Sequence, residues 1–171
     1  MRRIISILLQ NEAGALARVA GMFSARGYNI DSLTVATTHD PSVSRLTLVT
    51  FGDEGVIDQI VKQSRKLVDV LEIADLTTRD HLEAELLMVK VAIAPKRATE
   101  LHECIERHAG ALLSDSDGMT GTIRFAGSSG EVNAFLAELE SVARILELAR
   151  SGTAALERGP AVLMPAIDTA A

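Results

Sequence analysis

The sequence predicts an α+β fold of two ferredoxin-like βαββαβ modules. Segments rich in Ile, Leu, Val and Thr alternate with segments whose apolar residues recur every three or four positions, as strands alternate with helices. The same order of six elements occurs twice in the 171 residues, on either side of the polar stretch 77–81. We therefore expect one domain at residues 1–77 and a second at 84–159, followed by a flexible tail at 160–171 with two prolines.

The first copy begins with a strand-like run from Arg3 to Leu9 and a turn at residues 10–14. A helical stripe follows and stops at Arg26-Gly27, where a cation and a glycine are typical of a helix C-terminus. The apolar residues of this stripe are Leu16, Val19, Ala20 and Phe23. Two strands follow at 29–38 and 44–51, joined by a hairpin loop at 39–42. A helix at 56–61 and a closing strand at 68–76 complete the first copy.

The second copy repeats this order. Its predicted strands are at 85–93, 112–114, 120–126 and 144–150, with a turn at 115–118 between the second and the third. Its first predicted helix has the apolar stripe Leu101, Cys104, Ile105 and His108. Its second has the stripe Val132, Phe135, Leu136 and Leu139. A module of this size buries only about 60% of its unfolded surface. We therefore expect oligomerisation, with pairing through an edge strand.

Composition excludes several classes of protein. The net charge of −6 and the 3% aromatic content argue against nucleic acid as a partner, because phosphate binding needs basic patches and single strands need stacking platforms. The chain has no run of about 18 apolar residues, and its first apolar run is too short for a secretory signal. The single cysteine, Cys104, fits a reducing compartment and is expected to be a buried thiol. We expect a soluble, cytoplasmic protein.

The sequence offers little catalytic machinery. The four histidines, which lack the spacing of a zinc site, are His39, His81, His102 and His108. A nucleophile elbow, a Walker loop and a dinucleotide-binding fingerprint are all missing from the sequence. The loop 127–130 has the composition to hold an anion, but a cap for the helix that starts near Glu131 is the simpler interpretation. We therefore predict no catalytic residue and no metal site.

The turn between the first strand and the first helix is a better candidate for a ligand site. Gly14 allows a ligand to approach the backbone, and unpaired N–H groups of Ala15 and Leu16 at the helix start suit a carboxylate. Asn29, at the start of the next predicted strand, offers both a donor and an acceptor. Both features also have a purely structural explanation: Gly14 can be a flexible residue at a helix start, and Asn29 can be a turn residue after Gly27. Spacing alone therefore leaves open whether these residues bind a ligand or only form turns.

At these residues the sequence resembles a known family, the regulatory small subunits of acetolactate synthase, also called acetohydroxyacid synthase. The resemblance extends to about Gly159 and is most specific in the string from Gly27 to Leu33. The segments that carry it are 2–4, 11–19, 23–35, 66–70 and 149–152. The segment 94–98 and the tail after Gly159 are less typical of the family.

The resemblance implies an N-terminal ACT domain that pairs with a second copy and binds valine in the dimer interface. It also implies a C-terminal ferredoxin-like domain that helps to activate the large catalytic subunit. That partner would carry thiamine diphosphate, Mg²⁺ and FAD, and this chain would carry no cofactor. Transferred residue by residue, the resemblance predicts an effector site made of Asn11, Gly14, Ala15 and Leu16 from one protomer and Asn29 and Ile30 from the other.

Two other functions are compatible with a ferredoxin-like fold. A stand-alone amino-acid-sensing ACT protein that acts on transcription would need a DNA-binding segment, and the acidic chain shows no helix-turn-helix pattern. A hydrolase of the acylphosphatase type would need a glycine-rich loop with an arginine before the first helix, and the sequence lacks one.

Overall fold

The computed structural model describes residues 1–115 and 118–165 of the chain. Contacts between residues divide it into two compact units. The first comprises residues 1–82 together with the described segment after residue 152, and the second comprises residues 83–152. None of the helices within the described ranges is long and apolar enough to span a bilayer.

The first unit has the predicted βαββαβ order. Its elements are β1 (Arg2–Gln10), α1 (Ala15–Ala25), β2 (Ser32–Thr37), β3 (Val43–Phe51), α2 (Glu54–Ser64) and β4 (Val70–Asp75). The four strands form an antiparallel sheet in the order β2-β3-β1-β4, so β1 is central and β2 is an edge strand. The hairpin loop predicted at residues 39–42 joins β2 to β3, where the N–H of Thr38 donates to the carbonyl of Val43 (2.9 Å).

Both helices of the first unit pack on one face of its sheet. The main core lies between them and β1, β3 and β4, and its buried residues are Ile5, Ile7, Leu9, Val19, Met22, Phe23, Leu46, Leu48, Ile57, Ile60 and Ile73. α1 ends as predicted, with Gly27 in the left-handed conformation at φ +68°. Asp53 is the N-cap of α2, and its side chain accepts a hydrogen bond from the N–H of Val56 (2.9 Å).

The apolar stripe predicted for α1 is confirmed at Val19 and Phe23 and wrong at Leu16. Leu16 is 40% exposed, whereas the residues of α1 that are buried are Ala15, Val19, Met22 and Phe23. The helix begins at Ala15, and the spacing i, i+4, i+7, i+8 from this residue faces the sheet. Leu16 therefore points away from the core.

The other face of the first sheet is covered by the end of the chain. Ala155, in β9 (Ala154–Glu157), packs with Ile4 and Val49, and Leu163 packs against the same cluster. Residues 153–159, which the sequence analysis placed in the second domain, thus lie with the first unit because their apolar side chains cover its sheet.

Polar contacts hold this segment in place. The guanidinium of Arg2 donates to the hydroxyl of Thr153 (3.3 Å), and Arg79 pairs with Glu157 (2.7 Å). The N–H of Arg158 donates to the carbonyl of Asp80 (2.8 Å). Of the tail predicted at 160–171, residues 160–165 belong to the described chain, and residues 166–171 lie outside it.

The second unit has the same topology, which confirms the predicted fold class. Its first strand is β5 (His81–Ala92), whose first two residues belong to the first unit. The other elements are a short 3₁₀ helix (Pro95–Arg97), α3 (Ala98–Arg107), β6 (Ala111–Asp115), β7 (Thr120–Gly127), α4 (Ser129–Val142) and β8 (Arg144–Arg150). The strands run in the order β6-β7-β5-β8. The turn predicted at 115–118 includes Ser116 and Asp117, which lie outside the described residues.

The core of the second unit joins α3 and α4 to the sheet. Phe135 and Phe125 pack with ring centroids 4.9 Å apart, and the buried Cys104 lies in the same cluster. Burial raises the pKa of the Cys104 thiol, which agrees with the predicted structural role. The loop 127–130 caps α4, because Ser128 and Glu131 form a reciprocal capping box. This confirms the simpler interpretation of that loop.

We expect Phe135→Ala to lower the free energy of unfolding of the second unit by about 3–5 kcal/mol, because it leaves a cavity in the core. Urea denaturation followed by circular dichroism measures this change. As a control, Glu140→Gln on the exposed face of α4 should change stability by less than about 0.5 kcal/mol. A loss below about 1 kcal/mol for Phe135→Ala would contradict the described packing.

Candidate functional site

The turn from β1 into α1 leaves a helix N-terminus without a side-chain cap. Gly14 is the N-cap residue, and its left-handed conformation (φ +89°, ψ −12°) is one that residues with a side chain rarely adopt. No side chain accepts a hydrogen bond from the first turn of α1, whereas Asp53 caps α2 and Ser128 caps α4. This helix end is therefore open to an external acceptor.

Two backbone N–H groups at this helix end, those of Leu16 and Ala17, are available to a ligand. The N–H of Ala15 donates to the carbonyl of Glu12 (3.2 Å), and that of Arg18 donates to the carbonyl of Gly14 (2.9 Å). Within residues 1–115 and 118–165, the N–H groups of Leu16 and Ala17 form no hydrogen bond. The pair predicted from the sequence is Ala15 and Leu16. The structure shifts it by one residue because the preceding turn already engages Ala15.

Asn11 holds the turn against the β2–β3 hairpin. Its side-chain amide donates to the carbonyl of Pro41 (2.8 Å), and its Oδ1 accepts from the hydroxyl of Ser44 (3.0 Å). The backbone N–H of Asn11 donates to the carbonyl of Ser42 (2.7 Å). These bonds fix the side chain and leave one amide proton for another acceptor.

An ion pair that the sequence analysis missed supports the same turn. The guanidinium of Arg18 donates through two nitrogens to the carboxylate of Asp69, which is 2% exposed, with Nη2 2.7 Å from Oδ1. Hydrogen bonding to Arg18 lowers the pKa of Asp69, and the same bond raises the pKa of Arg18. The carbonyl of Asp69 also accepts from the N–H of Gln10 (2.8 Å). The pair thus joins the start of α1 to the residues before β4.

Gly14 lies directly against this ion pair. A Cβ atom at residue 14 would stand 2.9 Å from Nη1 of Arg18, closer than side chains pack. Any other residue here must displace Arg18 as well as adopt an unfavourable φ. The signal for the pair was present in the sequence, because Arg18 and Asp69 both fall in segments that carry the family resemblance.

Asn29 and Ile30 lie in the connection between α1 and β2. The sequence predicts Asn29 at the start of a strand, but β2 begins at Ser32. The hydroxyl of Thr50 donates to the carbonyl of Asn29 (2.5 Å). Asn29 is exposed. Ile30 is half-buried against the main core of the unit. The anchoring bond to Thr50 takes the place of strand pairing at this point.

The two groups of predicted site residues are at opposite ends of the first sheet. Asn11 follows Gln10, which pairs with Val43, whereas Thr50, which holds Asn29, pairs with Arg3. The interval from Arg3 to Gln10 is seven residues of β1, roughly 23 Å of strand. One chain brings Asn11, Gly14, Ala15 and Leu16 together but leaves Asn29 and Ile30 at the far end.

The histidines form no common site. Nδ1 of His102 lies 2.7 Å from the carbonyl of Ala98, and Nε2 of His108 lies 2.7 Å from Oε2 of Glu138. Across the described part of the chain, no group of three or more His, Cys, Asp or Glu side chains is placed to hold a metal ion.

The fold and this turn define a protein of two ferredoxin-like modules, the first of the ACT type. Residues 5–72 match the family described as the AHAS small subunit-like ACT domain, and residues 84–159 match the small subunit of acetolactate synthase. The chain belongs to the family of acetolactate synthase small subunits.

Individual relatives agree over nearly the whole chain. The acetolactate synthase isozyme 3 small subunit of Escherichia coli (strain K12) is 47% identical over 163 residues, which cover 95% of this chain and 99% of the relative. The acetolactate synthase small subunit of Haemophilus influenzae is 41% identical over 159 residues, which cover 93% and 97%. The crystal structure of the small subunit from Thermotoga maritima aligns with a TM-score of 0.85 at 30% identity and covers 94% of this chain and 99% of that chain.

The pair Arg18–Asp69 should make stability depend on pH at the acidic end. The folded pKa of Asp69 lies below its ordinary value of 3.8, so the ionised carboxylate stabilises the fold above about pH 4. This contribution is lost as the pH falls through the folded pKa. We expect the free energy of unfolding, measured with urea between pH 2 and 7, to fall less steeply in Asp69→Asn over this acidic range.

A variant of the other member of the pair, Arg18→Gln, separates the effect of the ion pair on the pKa of Asp69 from the effect of burial. In Arg18→Gln the burial of Asp69 remains and raises its pKa, so the loss of stability should begin at a higher pH than in the unchanged chain. Identical pH profiles for the three proteins would show that the pair does not stabilise the turn.

Proposed function

We propose that this chain is the non-catalytic regulatory subunit of an acetolactate synthase in branched-chain amino acid biosynthesis. It activates the catalytic subunit in the cytoplasm and confers feedback inhibition by valine. The observation that supports this most directly is the uncapped start of α1, where a glycine and two free N–H groups face outward.

The chemistry of this turn suits the carboxylate of an amino acid. The N–H groups of Leu16 and Ala17 and the remaining amide proton of Asn11 are the donors, and the positive end of the helix adds to their attraction. The missing side chain at Gly14 lets the ligand reach the backbone. The ammonium group is bound by the side chain of Asn29 and nearby carbonyls, and Ile30 shapes the apolar end.

The second half of the site comes from a second copy of the chain. β2 is an edge strand that runs from the Asn29 end of the sheet to the Asn11 end. If two β2 strands pair antiparallel about a two-fold axis, the Asn29 of one copy lies beside the Gly14 of the other. Because the two groups of residues are roughly 23 Å apart within one chain, a complete site requires a dimer.

A ligand held by two copies favours one arrangement of the dimer over another. A difference in binding free energy of about 1–3 kcal/mol between two arrangements changes the activity of a coupled partner about 5- to 150-fold. The second module transmits this change to the large catalytic subunit. Thiamine diphosphate, Mg²⁺ and FAD belong to that subunit, and this chain provides regulation alone.

The direct test is acetolactate formation by the separately purified catalytic subunit, with and without this chain, across a valine titration. Activation that valine reverses is the expected result. Activation without any response to valine would refute the effector site while keeping the partner. No effect on activity would refute the proposal and favour a stand-alone amino-acid sensor.

We expect Gly14→Asp to raise the valine concentration needed for half-inhibition by about tenfold or more, because its carboxylate repels that of the ligand. Activation in the absence of valine should remain. Gly14→Ala is the matched control, because it has the same backbone strain without the charge and should raise this concentration less. Unchanged inhibition in Gly14→Asp would contradict the proposed site.

The dimer can be tested at the edge strand. Val35 is a 38% exposed residue of β2, and we expect Val35→Lys to block antiparallel pairing, because charged residues on edge strands oppose pairing. Analytical ultracentrifugation should show a shift from dimer to monomer, with loss of valine binding. Val68→Lys, at an 80% exposed position before β4, should leave the dimer intact. A dimeric Val35→Lys chain that still binds valine would contradict this arrangement.

A further inference from the structure

A cavity in the first unit lies on the face of the sheet opposite to the helices. Its volume is about 210 Å³, and it opens between the sheet and the segment that begins with β9. The sheet contributes Arg45, Ala74 and Leu76, and the segment contributes Leu156, Glu157, Gly159, Ala161, Val162 and Leu163. The lining is therefore mostly aliphatic, with two charged residues.

Arg45 has no acidic partner within the described residues. Its Nε donates to the hydroxyl of Ser6 (2.9 Å), a buried residue of the central strand, and no carboxylate in residues 1–115 and 118–165 lies within ion-pair distance. Partial burial lowers the pKa of Arg45, since desolvation disfavours its charge. A half-buried guanidinium of this kind gains most from an anion that neutralises it.

The other charged residue of the lining, Glu157, does not neutralise Arg45. Its carboxylate is already paired with Arg79, Oε2 to Nη1, at 2.7 Å. The remaining wall residues are aliphatic, and they suit a short hydrocarbon chain. At about 210 Å³ the cavity is smaller than the roughly 300–1,000 Å³ pockets that hold drug-sized ligands, so it suits a smaller molecule.

We propose that this cavity binds a short-chain aliphatic carboxylic acid, with the carboxylate on Arg45 and the hydrocarbon chain among Leu76, Ala161 and Leu163. Arg45 donates from its terminal nitrogens, because its Nε is engaged with Ser6. The site is separate from the turn at Gly14: it lies on the opposite face of the sheet, and its far wall is the last described segment of the chain.

The test uses the full chain, with isovalerate as the probe and its neutral isostere isovaleramide as the comparison. Isothermal titration calorimetry should give a dissociation constant of about 1 mM for isovalerate, as expected for so small a ligand. Isovaleramide should bind at least about tenfold more weakly, because it lacks the charge that Arg45 recognises. Equal binding of the two compounds would overturn the proposal, as would an absence of isovalerate binding up to about 20 mM.

Two variants locate the site. Arg45→Gln should weaken isovalerate binding at least about tenfold, while Arg124→Gln, on an exposed position of β7, should leave it unchanged. Ala161→Phe fills the cavity from the segment side and keeps Arg45, so it should abolish binding even if Arg45→Gln fails to fold. Undiminished binding in Ala161→Phe, or in a folded Arg45→Gln chain, would overturn the proposal.

A final comparison separates this cavity from the proposed effector site and defines its ligand. Gly14→Asp should bind isovalerate like the unchanged chain, because the turn is not part of the cavity. In this variant, leucine that binds more tightly than isovalerate would identify an amino acid as the ligand, and weaker leucine binding would identify an acid without an ammonium group. Loss of isovalerate binding in Gly14→Asp would place the probe at the turn and overturn the cavity assignment.

Discussion

The first unit depends on the burial of β1 on both of its faces. Seven consecutive residues of this strand, Arg3 to Leu9, are buried, and the strand pairs with β3 on one side and β4 on the other. One face supports the helices, and the other supports the segment after residue 152. A strand covered on both faces is expected to be almost continuously apolar, as the Ile- and Leu-rich run of β1 is.

The site at Gly14 follows from where this strand ends. Beyond Gln10 the chain must reverse direction over a few residues to place α1 on the sheet, and a left-handed glycine makes that reversal possible. Asn11 fastens the turn to the hairpin, and Arg18 fastens it to Asp69. Both anchors leave the N–H groups of the first helical turn exposed, so rigidity and an open binding surface occur together.

Much of this was predictable because it is local. The changes of period along the chain identified both βαββαβ units, and Gly27 identified the end of α1. Leu16 is wrongly predicted to face the core because Ala15, a smaller residue, takes that place at the start of α1. Asn29 was placed in a strand because its anchor, a hydroxyl on Thr50, is 21 residues away. The partner of Arg18 is 51 residues away. The cover of the first sheet lies more than a hundred residues after Ile4, a distance at which pattern alone carries no information.

The cover formed by residues 153–163 has a consequence for how the protein is made. The first unit is discontinuous in sequence: its strand β1 is synthesised well before residues 153–163, which shield Ile4 and Val49. During translation at about 5–20 residues per second, the apolar side of that sheet stays uncovered for several seconds. A nascent chain in this state presents a surface suited to chaperones or to wrong association, and the first unit is completed only when residues 153–163 have left the ribosome.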